Sequence, residues 1–156
     1  MTTGLKVHPV DAAELDEVRQ QGTDRWGNAP EAFVSDGGDQ RRCCLRLSLP
    51  GERLWVIAHA PLTVQRPWRE VGPVFVHPNP CDGYDGALGL PGFISGKPRV
   101  LRSYSADGAM YYAGNRLTGP HDDLEAVLQE LFTDPEVAEV HLRNVEAQCF
   151  IARVTR

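Results

Sequence analysis

Between residues 42 and 49 apolar and polar side chains alternate, with Cys43, Leu45, Leu47 and Leu49 on one face and Arg42, Cys44, Arg46 and Ser48 on the other. This is the period of a half-buried strand, and it predicts a core position for Cys43 and a surface position for Cys44. Pro50, Gly51 and Glu52 then turn the chain into a second strand over 53–59, the expected hairpin partner of the first. A short apolar strand follows at 74–77. Residues 99–105 and 109–115 flank Asp107-Gly108, a two-residue turn signal that pairs Tyr104 with Tyr111 and Arg102 with Ala113. On that register Arg102, Tyr104 and Tyr111 share one face. Leu124, Val127, Leu128, Leu131 and Phe132 repeat at three-four spacing and predict a helix over 123–132, with Asp122 and Glu125 as its capping box and Pro135 past its end. A final hairpin joins 137–143 to 148–154. A four-residue loop sets Leu142 beside Cys149 and Val140 beside Ile151, and turns His141 away from Cys149. Near the N-terminus, Leu15 and Val18 among charged neighbours predict a short helix over 11–21, and 22–39 reads as turns.

These elements describe an α+β chain: a mainly antiparallel sheet of about six to seven strands, one main packing helix and a short N-terminal helix. With 156 residues, 42% hydrophobic and 24% charged, the expectation is a single domain over 1–156, an irregular segment 1–39 preceding an α+β core 40–156. A net charge of -5 with no basic patch argues against a nucleic-acid partner. No apolar run reaches the ~20 residues of a membrane span, and Met1-Thr2-Thr3-Gly4-Leu5-Lys6 lacks the apolar core of a signal peptide. The expected address is cytoplasmic, without a membrane partner. Cys43, Cys44, Cys81 and Cys149 show no Cys-x-x-Cys spacing, and thiols rather than disulfides follow from that address.

Reactive side chains concentrate after the strand at 74–77. His77 and Cys81 stand four apart in His-Pro-Asn-Pro-Cys, and an imidazole beside a thiol stabilises the thiolate, which is both nucleophile and metal ligand. Pro78 and Pro80 favour an extended path, on which four residues span on the order of 13 Å, so the pair meets only where the loop turns back. Otherwise Cys81 is a small apolar side chain and His77 a hydrogen-bonded strand end. Residues 78–98 hold five glycines and four prolines, the composition of a long loop covering one end of the sheet. Arg69 and Glu70 enter the apolar strand pointing to opposite faces. The candidate catalytic residues are therefore His77, Cys81 and Glu70, and the candidate substrate-binding residues are Arg69, Tyr84, Arg102 and Tyr104, two guanidiniums and two phenols suited to a polar or anionic metabolite. The same residues also suit a non-catalytic ligand-binding or homodimeric module in which the glycine-rich loop forms the contact. Composition and spacing identify no cofactor, and leave open whether a metal is bound. No Gly-x-Ser-x-Gly elbow, phosphate loop, dinucleotide fingerprint or His-Glu-x-x-His helix occurs.

The string Trp68-Arg69-Glu70-Val71-Gly72-Pro73-Val74-Phe75-Val76-His77, followed by Cys81 and Tyr84, resembles the bacterial family called domain of unknown function 1203. The likeness extends through Arg102-Ser103-Tyr104, Leu131-Phe132-Thr133-Asp134-Pro135, Val140-His141-Leu142-Arg143 and Cys149-Phe150, roughly residues 40–156. The resemblance implies a small, stand-alone bacterial protein. It supplies no activity, substrate or cofactor.

Overall fold

The computed structural model describes residues 4–156. Residues 1–3, part of the start read as lacking a signal-peptide core, lie outside the described residues. Among the described residues ten strands form two five-stranded sheets rather than one of six or seven: β1 (Lys6–His8), β10 (Phe150–Thr155), β9 (Glu139–Arg143), β7 (Arg99–Tyr104) and β8 (Arg116–Thr118) lie side by side in the first. The second runs β2 (Glu31–Val34), β5 (Arg53–His59), β6 (Gly72–Val76), β3 (Gln40–Arg41) and β4 (Arg46–Leu47). All pairings are antiparallel except β3 with β6. Among the described residues no helix is long and apolar enough to cross a membrane.

Two helices match the predicted periods. α1 (Ala12–Gln21) starts where the Asp11 carboxylate accepts from the Ala13 amide and stops at Gly22, whose φ of 75° an L side chain adopts only with strain. α2 (Leu124–Leu131) buries Leu124, Leu128 and Leu131 against the first sheet, where Leu101, Val140, Leu142 and Ile151 receive them. Its cap is Asp123, which accepts from the Ala126 amide, not Asp122, whose carboxylate instead holds the Gly119 amide.

Of the expected strand at 42–49 only Arg46–Leu47 forms, as β4. After Arg41 the chain makes a tight turn in which Leu45 takes a φ of 52° and donates its amide to the Arg41 carbonyl. Both Cys43 and Cys44 are buried there, while Leu47 and Leu49 are exposed, so Cys44 is a core residue after all. Burial of Leu45 and both sulfurs offsets the left-handed strain, which β-alternation cannot anticipate. The true partners of β5 are β2, from the segment read as turns, and β6.

Two registers also shift. Ser105 donates to the Ala109 carbonyl and Gly108 adopts a φ of 84°, so the turn holds three residues, Ala106, Asp107 and Gly108. Tyr104 therefore bridges Met110, and Tyr111 leaves the shared face to donate its hydroxyl to Asp134. In the last hairpin Leu142 pairs with Ala152 and Val140 with Val154, because Asn144 and Cys149 close a longer loop and an irregularity between Phe150 and Ala152 displaces the register.

Residues 78–98 cover sheet β1-β10-β9-β7-β8 by packing into it. Ile94 is fully buried, Arg99 donates to the Ile94 and Phe93 carbonyls, and Gly86 lies so close to β1 that a Cβ there would collide with the Val7 carbonyl.

Beneath β7 and β9, His141 is buried with Nε2 2.8 Å from Glu139 and its ring on Tyr104. Burial pushes its pKa down, more than the Glu139 carboxylate raises it. Below the ordinary value of 6.5 the unfolded chain takes up a proton that folded His141 refuses, so stability is expected to fall as pH drops from 6.5 toward 5. Half-buried His8, lowered first by burial, acts with the same sign. Urea unfolding at pH 7 and 5.5 should show the loss, and His141→Gln should flatten part of that slope; an identical slope in the variant would assign it to other groups.

Candidate functional site

Two constellations stand out, at opposite ends of β6. At the first end Gly72 and Pro73 line a cleft of about 580 Å³ bordered by both sheets. This is the size of an ordinary small-molecule site. Arg102 of β7 and Arg143 of β9 project into it, and both reach one carboxylate oxygen of Glu70, at 2.6 Å and 3.0 Å. Glu70 is half exposed while Arg143 is buried, its Nε without a partner among the described residues. Tyr104 lies next to Arg102; burial pushes its phenol pKa up, and the Arg143 and Arg102 charges oppose that. It is fully buried, so it supports the arginines rather than lining the cleft.

The cleft is also lined by His59, at the end of β5, whose Nδ1 lies 3.1 Å from both oxygens of Glu14 on α1. A carboxylate can only accept, so Nδ1 carries a hydrogen in this contact. Glu14, only 4% exposed, is held inside the protein by this contact and by Arg25 at 3.8 Å. Arg42 and Cys149 form the floor. The Arg42 guanidinium donates to the Phe150 and Gln40 carbonyls and to the Cys149 sulfur, and so stitches the two sheets together.

At the far end of β6 the chain folds back as the His77–Cys81 pair requires. The donor atoms of Cys43, Cys44, His77 and Cys81 all lie within 4.8 Å of one another. His77 Nδ1 sits 3.2 Å from the Cys43 sulfur, which also accepts the His77 amide at 3.3 Å. On the other side of the ring Nε2 is 2.9 Å from Glu52 and 3.0 Å from Arg41, which are themselves paired at 2.7 Å. The Cys43 thiol hydrogen-bonds Cys44, and this contact, more than any other cause, holds Cys44 down to about 6 and pushes Cys43 up. Burial raises Glu52, but hydrogen bonds from the Leu49 amide, His77 and Arg41 outweigh it and hold the carboxyl below its usual range.

Of the sequence candidates, His77 and Cys81 meet in this cluster, and Glu70, Arg102 and Tyr104 meet in or beneath the cleft. The two groups do not share a hollow: five residues of β6 separate them, on the order of 16 Å of extended chain. Tyr84 donates its hydroxyl to the Gly89 carbonyl inside the long loop, and Arg69 rests its guanidinium 5.7 Å over the Trp26 ring. Sequence reading missed Glu14, His59, Arg143 and Glu52. Glu14 could have been found, since it shares a helical face with Val18, and His59 continues the buried alternation after Ile57. Arg143 and Glu52 carry no such signal.

The model of the protein family of unknown function DUF1203 matches residues 38–156. The chain belongs to this family. No curated protein and no solved structure matches it. The match begins just before β3, so the family segment includes both cysteines of the turn, β6, His77, Cys81 and the three cleft arginines, whereas Glu14 lies before it.

Proposed function

We propose that the protein binds a small carboxylate- or phosphate-bearing metabolite in the cleft between the sheets and acts on it by acid–base chemistry. The observation that carries this reading is the convergence of Arg102 and Arg143 on a single carboxylate oxygen, with His59 among the residues that line the same cleft. Two guanidiniums that already hold a side-chain carboxylate offer a ligand carboxylate the same forked donors, and Glu70, half exposed, is free to swing out. His59, oriented by Glu14, would take or give a proton at a group held by that clamp, the imidazole–carboxylate arrangement of general acid–base catalysis. This replaces a His77-based mechanism with one in which His77 and Cys81 are remote from the anion clamp.

Thermal unfolding with inorganic phosphate, succinate and citrate tests the reading. A ligand at a hundred times its Kd should stabilise the fold by about 2.7 kcal/mol. Arg102→Met is expected to weaken binding at least tenfold, and Glu70→Gln to strengthen it, because the competing internal anion is gone. His59→Asn should bind as the parent does. Equal shifts in parent and Arg102→Met, or no shift with any of the three anions, would overturn the proposal.

A further inference from the structure

We infer that Cys43, Cys44, Cys81 and Nδ1 of His77 together bind one thiophilic divalent cation, with zinc as the expected occupant, in a closed site independent of the cleft. In a tetrahedral zinc site with metal–sulfur bonds of about 2.3 Å and a metal–nitrogen bond of about 2.0 Å, neighbouring donors stand about 3.5–3.8 Å apart. The four donors here already lie within 4.8 Å of one another, so closing onto a metal takes a contraction of about 1.3 Å at most. Three of the chain's four cysteines converge on this point from two separate segments, the 42–45 turn and the loop after β6, and no disulfide joins them.

The outer contacts fit the same assignment. A histidine that ligates through Nδ1 must carry its hydrogen on Nε2, and metal-bound histidines as a rule donate that hydrogen to a carboxylate or carbonyl. Glu52 stands 2.9 Å from Nε2 for this purpose, and Arg41 Nη1, a donor 3.0 Å from the same nitrogen, then serves Glu52 rather than the ring. Three thiolates and an imidazole around a doubly charged ion leave one net negative charge. Arg41, paired with Glu52 and next to the ring, supplies a compensating positive one. The Cys43 sulfur also accepts the His77 amide, a bond that strengthens when the sulfur is a thiolate. Soft sulfur donors favour zinc over magnesium or calcium. With all four positions filled by protein the site is structural rather than hydrolytic: it would pin the start of the 78–98 loop to β3 and β6. Binding converts up to three thiols to metal-bound thiolates and releases a proton for each, so affinity rises with pH.

Untagged protein analysed for metals by mass spectrometry, and the metal-free protein titrated with Co(II), test the site directly without reference to any cleft ligand. The expected results are one zinc per chain and a tetrahedral cobalt spectrum with thiolate charge-transfer bands of three-sulfur intensity. Cys81→Ser, at an exposed position, should abolish stoichiometric metal while the protein stays folded by circular dichroism; Cys149→Ser should leave it unchanged; Glu52→Gln should lower affinity about 10- to 100-fold. A parent protein that takes up neither ion stoichiometrically, a cobalt spectrum without thiolate bands, or full metal retention in Cys81→Ser would overturn the inference.

Discussion

Arg42→Met is expected to destabilise the protein by about 2–4 kcal/mol, and Arg42→Lys by nearly as much, read as urea midpoints at neutral pH. Arg42 is 3% exposed, and its three guanidinium nitrogens serve the Phe150 carbonyl at 2.8 Å, the Gln40 carbonyl at 2.5 Å and the Cys149 sulfur at 3.4 Å. Its own backbone continues the tie: the amide donates to the Phe75 carbonyl and the carbonyl accepts from Val10. Burial of a guanidinium is costly and lowers its pKa, so the arginine persists there only because each of its nitrogens meets an acceptor. Methionine fills the volume but strands the Phe150 carbonyl, and lysine, a single point charge, cannot span three acceptors. A loss below about 0.5 kcal/mol in both variants would show that the seam between the sheets holds without this fork.

The second large effect is expected at the centre of the other core. Leu128 is fully buried in the middle of α2, among Leu101, Val140, Leu142 and Ile151 of the sheet beneath it. Leu128→Ala should cost about 3–5 kcal/mol, the transfer energy of the lost side chain plus that of a cavity the sheet cannot collapse to fill. At this chain length that lowers the melting temperature by on the order of 10 °C. Val127→Ala, at a half-buried position one residue away, should cost about 1 kcal/mol or less. Similar losses at both positions would mean that α2 sits differently on the sheet.

Both predictions bear on function through the same scaffold. β7 and β9, which α2 covers, carry Arg102 and Arg143, and the Arg42 fork ties the cleft to the first residue of β10. Glu70 reaches the clamp from the other sheet, so the anion site exists only while the two sheets keep their spacing. The thiol–imidazole cluster depends on less: a turn, a strand end and a proline-directed loop, held by Glu52 and Arg41.

Hydrophobic period by itself determined the helices and the cores of β5, β6, β7, β9 and β10, because a buried face imposes its spacing on neighbouring residues. It also marked His77 and Cys81 as a pair, since proline and glycine content announces a loop and a loop must turn somewhere. Tertiary packing decided what local pattern could not carry. The alternation at 42–49 gave way to a turn because Leu45 and two sulfurs gained more by burial than a strand would have returned, and the division into two sheets followed from β2 and β6 taking both edges of β5. Pairings such as Arg143 with Glu70, His59 with Glu14 and His77 with Glu52 join residues 73, 45 and 25 positions apart. No local periodicity encodes such distances: charged side chains read as surface until a partner inside the fold makes their burial affordable.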